Sequence, residues 1–322
     1  MKSKARFNWK DSFISFDEWS NFYIYCDTNA SYASIHQFLE NGFGKPCVVA
    51  NGNQKDAGAC LAISYEARTK GIKRGASLHQ ALSICKDLTV YESCLPLYEL
   101  YADLYDLVLE CIVPKEFFYR GSCDEVVLYV DWRRYPYQNF WSAVEYTLDY
   151  IKEKLDVSMS LRIKPEQEKD ILSLSKNFQI LFALSYLIRD CMLHIIGLPI
   201  SISIAPSICL GKALIDHSKP TFYKGKRLYR TEHDAIAFFP TVDSLNQHYR
   251  QYLLKDLCGV HEIAKRFADH RIFTVSDIQD SCDIERSILF SKNVHLGKVV
   301  WYMCHGRDDI LSGYLSAIRD RK

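Results

Sequence analysis

No two of the twelve cysteines lie close enough to form a CxxC pair, which excludes a zinc site of the usual spacing. Nor does an apolar segment follow the N-terminal Met1-Lys2-Ser3-Lys4-Ala5-Arg6, so no secretory signal is expected. Many thiols without framework spacing or signal read as reduced thiols of the cytosol. Charge of one sign is lacking too: 40 Lys and Arg stand against 39 Asp and Glu, a net charge of +1. No global field advertises a polyanion, so any such binding has to come from local patches. The longest uncharged run, Cys191 to Gly211, is broken by Pro199, Pro206 and several serines. It reads as helix end, turn and strand rather than as a membrane span. What is present is ordinary for a folded chain: 322 residues, 48% hydrophobic and 25% charged. That is enough for two to three domains with a sizeable core.

Along the chain the apolar periods alternate between strand and helix. Residues 1–20 read as a tail. Phe22 to Cys26 is a short apolar run ending at Asp27, a buried strand with a carboxylate at its end. A helix follows to Glu40, closed by Asn41-Gly42. Cys47 to Ala50 is a second strand, and Ser77-Leu78-His79-Gln80 is a capping box. From Leu97 to Cys111 the apolar residues recur at helical spacing. Two strand-like runs, 116–119 and 126–130, flank Gly121-Ser122-Cys123-Asp124-Glu125. A helix covers Ala143 to Leu155, Lys164 to Asp170 reads as a polar connector, and a long apolar helix runs from Phe178 to Ile196. Ile200 to Ala205 alternates as a strand, and Ser207 can cap a helix reaching Ser218. Beyond Pro220 the chain reads as mostly helical, with a second capping box at Ser276 to Gln279.

Chemistry enters with the acids at strand ends. Asp27 closes one strand and Asp124-Glu125 precedes another. Adjacent strands of one sheet can bring three carboxylates together on rigid elements, the donor set that hard Mg²⁺ prefers and shares with substrate phosphates. The same residues also suit a turn, a cap or a hairpin loop. Tyr65 and Arg68 lie three apart, so on a helix they share a face. They form either a phosphate clamp or a solvated basic helix end. Lys219, Lys224, Lys226, Arg227 and Arg230 meet no acid until Glu232. That run reads equally as a contact to a phosphate backbone and as an exposed loop. Cys26 and Cys123 each precede a candidate ligand by one residue. Strand alternation points them away from a metal, as packing residues.

Five blocks, taken in order, resemble the Y-family DNA polymerases, the translesion enzymes, and within them the UmuC-like subgroup. They are Tyr25-Cys26-Asp27-Thr28-Asn29-Ala30-Ser31-Tyr32-Ala33-Ser34; Gly44-Lys45-Pro46-Cys47-Val48-Val49; Tyr65-Glu66-Ala67-Arg68 with Gly71-Ile72; Tyr98 to Asp103 leading into Ser122-Cys123-Asp124-Glu125; and Ser201 to Ser207 with Lys212 and Ser218-Lys219-Pro220. The resemblance spans roughly residues 22–310. It implies an α+β fold: a palm of antiparallel sheet with packed helices, a small fingers domain and a helical thumb. The implied boundaries are a tail at 1–20, palm at 21–50 and 96–220 with an insertion at 137–172, fingers at 51–95 and thumb at 221–322.

The resemblance also implies roles. Asp27, Asp124 and Glu125, with the carbonyl of Thr28, would hold two Mg²⁺ ions for templated transfer of dNTPs onto a primer 3′-hydroxyl. Tyr65, Arg68 and Lys219 would grip the triphosphate. Tyr32 would be the steric gate, rejecting a 2′-hydroxyl by clash. Lys212, Lys224, Lys226, Arg227 and Gly259 would contact primer–template DNA. No membrane is implied. The departures are Ser31 where an aromatic is usual, His36 where Glu is usual, and His261 where a second hairpin Gly is usual. A left-handed backbone position there would be costly for His. A little-finger domain is expected to be absent, its grip supplied by a partner protein or missing, with low processivity as the result. The alternative is a scaffold, weak or inactive in catalysis, that binds DNA or a partner polymerase.

Overall fold

A computed structural model describes residues 22–51, 58–130, 135–223, 226–257, 261–281 and 294–306. In chain order the elements are β1 (Phe22–Thr28), α1 (Ser31–Leu39), β2 (Cys47–Ala50), β3 (Cys60–Ile63), α2 (Tyr65–Thr69), α3 (Leu78–Ile84), β4 (Thr89–Glu92), α4 (Leu95–Glu110), β5 (Phe118–Arg120), β6 (Glu125–Val130), α5 (Phe140–Leu155), α6 (Pro165–Leu172) and α7 (Lys176–Ile195). There follow β7 (Ile200–Ala205), α8 (Ile208–Ser218), β8 (Thr221–Tyr223), β9 (Lys226–Leu228), β10 (Ile236–Ala237), α9 (Val242–Tyr249), α10 (His261–Ala268), α11 (Val275–Gln279) and α12 (Val294–Cys304). The fold is α+β. The described residues fall into two compact units. The larger comprises Ile24–Ser203 and His217–Ala237; the smaller is built from Phe22 and Tyr23, Ile204–Asp216 and the described residues from Phe238 onward.

The larger unit carries a five-stranded sheet in the order β10-β7-β1-β6-β5. β1 and β7 are central and nearly all buried: β1 reads as a continuous apolar run, as a strand covered on both faces does, while in β7 the serines of the alternating run are buried along with its isoleucines. β5 and β6 are antiparallel, with Phe118 opposite Leu128. β10 joins β7 in parallel, so the sheet, expected to be antiparallel, is mixed at that edge. α4 forms where the helical spacing placed it, but the face it turns inward is Tyr98, Tyr101, Tyr105, Val108 and Leu109; of the apolar stripe read from Leu97 to Cys111 only Tyr101 and Val108 are buried, and Leu100 and Leu107 are exposed. α7 is long and apolar enough to cross a membrane, but 67% of its apolar window is buried within the fold. It packs against α5, α4 and α6.

β2 belongs to a separate three-stranded sheet, order β3-β2-β4, antiparallel to β3 and parallel to β4. Val48, Ile63, Ala67, Ile72, Leu78 and Ala81 form part of its core under α2 and α3. The smaller unit has its own core, in which Leu210 and Leu214 of α8 meet Tyr249, Phe267, Val275 and Trp301.

Three sequence expectations change. The polar connector at 164–170 is instead α6, with Pro165 at its first position and Gln167 reaching back to the backbone of Lys164. Proline at N1 starts a helix because its missing N–H would be unpaired there anyway. The capping box expected at Ser276 lies two residues earlier: the Thr274 side chain accepts from Asp277 N, and Asp277 returns the bond. The mostly helical stretch after Pro220 also holds a strand pair not foreseen in it, β8 (Thr221–Tyr223) antiparallel to β9 (Lys226–Leu228).

Gly197, between α7 and β7, has φ +72, and a Cβ there would sit inside the Phe38 ring of α1. Left-handed φ and the clash act together. Gly197→Ala is expected to lower unfolding stability by about 2–3 kcal/mol, measured by urea denaturation.

Candidate active site

β1 ends at Thr28, and the chain reverses into α1 through Ala30, a non-glycine residue with φ 49. Left-handed backbone at a non-glycine residue is a strained feature that clusters at functional sites. The reversal sets Asp27 at the end of one central strand. Asp124 lies just before the neighbouring β6, and the Thr28 N–H donates to the Asp124 carbonyl at 2.8 Å. The three acids singled out in the sequence, Asp27, Asp124 and Glu125, therefore lie at one end of one sheet.

Asp27 is the acid whose environment is most perturbed. Burial pushes its carboxyl up to about 6; Lys219 opposes that shift, while the charges of Asp124 and Glu125 reinforce it. Lys219 Nζ lies 3.1 Å from Asp27 Oδ2. In the metal-free protein the native carboxyl keeps a proton between pH 4 and pH 6 that the unfolded chain has lost. The native state then binds more protons, so stability falls as pH rises through that window. The fall is expected to reach about 3 kcal/mol, and Asp27→Asn is expected to remove it in denaturation curves taken across pH.

The turn before β6 is organised by Ser122. Its hydroxyl donates to Asp124 Oδ1 in a short contact and accepts from the backbone N–H of Glu125 at 3.2 Å. Arg120 braces the same turn, donating to the carbonyls of Ser122 and Cys123 at 3.2 and 3.3 Å. Its guanidinium is fixed in turn by Asp106 of α4, with Nε 3.0 Å from the carboxylate.

The opposite side of the site is tied to Asn29. Its Oδ1 accepts from Tyr65 OH at 3.1 Å and from Ser201 Oγ at 2.8 Å. Ser201 Oγ also lies 3.4 Å from the carbonyl of Ser218, the residue before Lys219. One buried amide thus links β1, α2, β7 and the segment that carries Lys219. Tyr65 and Arg68 share a face of α2 as the spacing required: the guanidinium lies 4.7 Å above the tyrosine ring. Arg68 Nε is anchored on the Ile63 carbonyl at 3.1 Å, and the residue is exposed. Ser64 caps α2, accepting from Ala67 N.

Asn29 and Ser122 were missed as contributors by sequence reasoning. Ser122 had a local signal, its place three residues before Glu125; Asn29 had none, because its side-chain partners come from two distant segments. Cys26 is fully buried, the packing role expected of it. Cys123 departs from its expectation. β6 begins only at Glu125, so strand alternation does not govern Cys123, and its Sγ lies 3.2 Å from Tyr32 OH.

The remaining candidates divide. Lys212 is on α8 in the smaller unit, half-buried; Lys226 and Arg227 stand on β9 in the larger, opposite Tyr223 and Phe222. Lys224 and Gly259 lie outside the described residues. His261 opens α10 in helical conformation, not the left-handed one considered costly for it.

A hard divalent cation suits the donor chemistry of this end of the sheet. Its oxygens come from carboxylates, and a cation there would favour the charged form of an Asp27 carboxyl that burial, and to a lesser degree the charges of Asp124 and Glu125, hold up. Among the described residues, however, no three His, Cys, Asp or Glu side chains converge closely enough to hold a metal ion. The cation paired with Asp27 is the Lys219 ammonium.

Comparison with known proteins extends the reading. A model of the family described as "IMS: impB/mucB/samB family" matches residues 26–216. The DNA polymerase IV of Moorella thermoacetica (strain ATCC 39073 / JCM 9320) is 41% identical over 64 residues, which is 19% of this chain and 16% of that protein. The DNA polymerase IV of Pelotomaculum thermopropionicum (strain DSM 13744 / JCM 10971 / SI) is 36% identical over 63 residues, with the same coverage. The chain thus spans about a sixth of the length of these curated relatives. Among solved structures, DinB from Sulfolobus solfataricus superposes with a TM-score of 0.57 at 18% identity, covering 88% of this chain and 66% of the other. An insertion ternary complex of Dbh DNA polymerase gives a TM-score of 0.60 at 18% identity, covering 89% and 67%. At that identity the likeness is one of fold.

Proposed function

The chain belongs to the impB/mucB/samB family, and on that premise we propose that it is a Y-family DNA polymerase. Its reaction is template-directed transfer of a deoxynucleotide from a dNTP onto a primer 3′-hydroxyl, in the service of DNA damage tolerance. The observation that carries the proposal is the meeting of Asp27 with Asp124 and Glu125 at adjacent strand ends. There burial raises the Asp27 carboxyl and the two partners' charges add to the rise. Acids gathered at one end of a sheet, one of them buried, repel one another and have no structural benefit of their own.

Asp27, Asp124, Glu125 and the Thr28 carbonyl would hold two Mg²⁺ ions. Bound there, the ions supply Lewis-acid stabilisation of the attacking and leaving oxygens. The chain's own side chains do the rest. Ser122 and Arg120 fix the turn that aims Asp124. Asn29 sets the position of Tyr65, whose hydroxyl, with Arg68 and Lys219, grips the triphosphate as charge develops on the leaving pyrophosphate. In this reading Lys219 leaves Asp27 for the phosphates when substrate and cation arrive, and Tyr32 bars the 2′-hydroxyl. Residues 21–50 and 96–220 would serve as palm, 51–95 as fingers and 221–322 as thumb, with β2 pairing into the three-stranded sheet of the fingers. Lys212, Lys226 and Arg227 contact primer–template DNA, together with Lys224 and Gly259.

The second reading is a DNA-binding scaffold without catalysis. What favours it is the lack of a converged metal cage among the described residues. Primer extension by the full chain on a primed template with Mg²⁺ separates the two. Extension supports the polymerase; DNA binding with no extension at high protein concentration supports the scaffold.

A further inference from the structure

The gate tyrosine is held at two points. Tyr32 lies in the first turn of α1, and its ring stacks on that of Tyr98 from α4, centroids 3.9 Å apart and planes 10° off parallel. At its far end the hydroxyl and the Cys123 thiol are 3.2 Å apart. Cys123 sits in the Ser122-braced turn, with its Sγ 4.0 Å from Asp124 Oδ1. Tyr98 is itself immobilised. It is 2% exposed, and its hydroxyl lies 3.2 Å from His36 Nε2. The His36 ring stacks on Tyr91 at 4.6 Å, and the Tyr91 hydroxyl donates to Glu40 at 3.2 Å.

We infer that Cys123 and Tyr98 clamp the Tyr32 ring, and that this clamp sets how strictly the site rejects a ribonucleotide. The inference rests on the polymerase reading above and adds to it a positioning residue, Cys123. A side chain that excludes by clash discriminates only by what it costs to move it aside. A tyrosine on the first turn of a helix reaches other wells by rotation about χ1 and χ2. The stack on Tyr98 fixes the plane of the ring, and the thiol fixes its tip. Displacing the ring therefore breaks two contacts at once. His36 and Ser31, both departures from the family pattern, fit the same device. Ser31 offers no ring, so the stacking surface comes from Tyr98, and His36 holds Tyr98 in place. The thiol also joins the gate to the turn that carries Asp124, so the sugar is checked by a ring fastened to the acid-bearing loop.

The test compares kcat/KM for a dNTP with that for the matching ribonucleotide, using the full chain, primed DNA and Mg²⁺. Cys123→Val and Tyr32→Phe are each expected to lower the ratio about fivefold. The double variant is expected to fall no further than either single one, because both remove the same contact. Cys123→Ser, which keeps a hydrogen-bonding group beside the hydroxyl, is expected to restore the ratio. A variant that merely loosened the fold would lower both substrates alike and leave the ratio unchanged. An unchanged ratio in Cys123→Val, or single effects that multiply to about 25-fold in the double variant, overturns the clamp and leaves the polymerase reading standing. A wild-type chain that extends no primer overturns the polymerase reading, and the clamp with it.

Discussion

Asp124→Ala is expected to reduce primer extension by at least about 10³-fold while leaving the fold intact. Asp124 sits in a half-buried turn whose backbone is fixed independently of its carboxylate. Its carbonyl accepts from Thr28 N, and Arg120 holds the two preceding carbonyls. Removing the carboxylate also removes one of the charges that raise Asp27. Thermal stability in the absence of metal is therefore expected to hold or rise slightly. Loss of activity with retained stability marks a residue kept for chemistry. Retained activity would remove Asp124 from the site.

Lys219→Met is expected to act twice. In the metal-free protein, Asp27 loses the ammonium 3.1 Å from its Oδ2 and is left buried beside two other acids. Breaking one half of such a pair costs about 2 kcal/mol at pH 7, the full buried-pair figure being reduced because Lys219 is 27% exposed. The Asp27 carboxyl is expected to rise further above its ordinary range. Adding Mg²⁺ is expected to recover more stability in this variant than in the wild type, because the ion no longer has to displace the ammonium. In primer extension kcat/KM is expected to fall about 10²-fold, through loss of a phosphate contact that strengthens in the transition state. Denaturation with and without Mg²⁺, together with steady-state kinetics, reads both effects. A variant no less stable than wild type, and no more responsive to Mg²⁺, would detach Lys219 from Asp27.

Much of this site was legible in the sequence because it stands on local pattern. Asp27 follows a five-residue apolar run, and Asp124-Glu125 precedes another, so carboxylates at strand ends needed only the strand period to be seen. Tyr65 and Arg68 share a face because three residues nearly complete a helical turn. What the sequence concealed depends on distant pairing. Asn29 is a hub only because Tyr65 and Ser201 arrive from elsewhere in the chain. Cys123 looked like a packing residue because alternation was extended one turn too early; the strand starts at Glu125. α6 hid behind its polar surface and its leading proline, and the true cap at Thr274 lay behind a serine of similar pattern two residues on. The pairing of β2 with β3 and β4 is a matter of sheet topology, which no local period encodes.

The central claim is templated nucleotide transfer at Asp27, Asp124 and Glu125. Its most direct test is single-nucleotide incorporation by the full chain, with each of the four dNTPs offered opposite each of the four template bases in Mg²⁺. Preferred incorporation of the complementary nucleotide in all four cases, lost in Asp124→Ala, is the predicted result. Incorporation indifferent to the template base, or equal in wild type and Asp124→Ala, would contradict it.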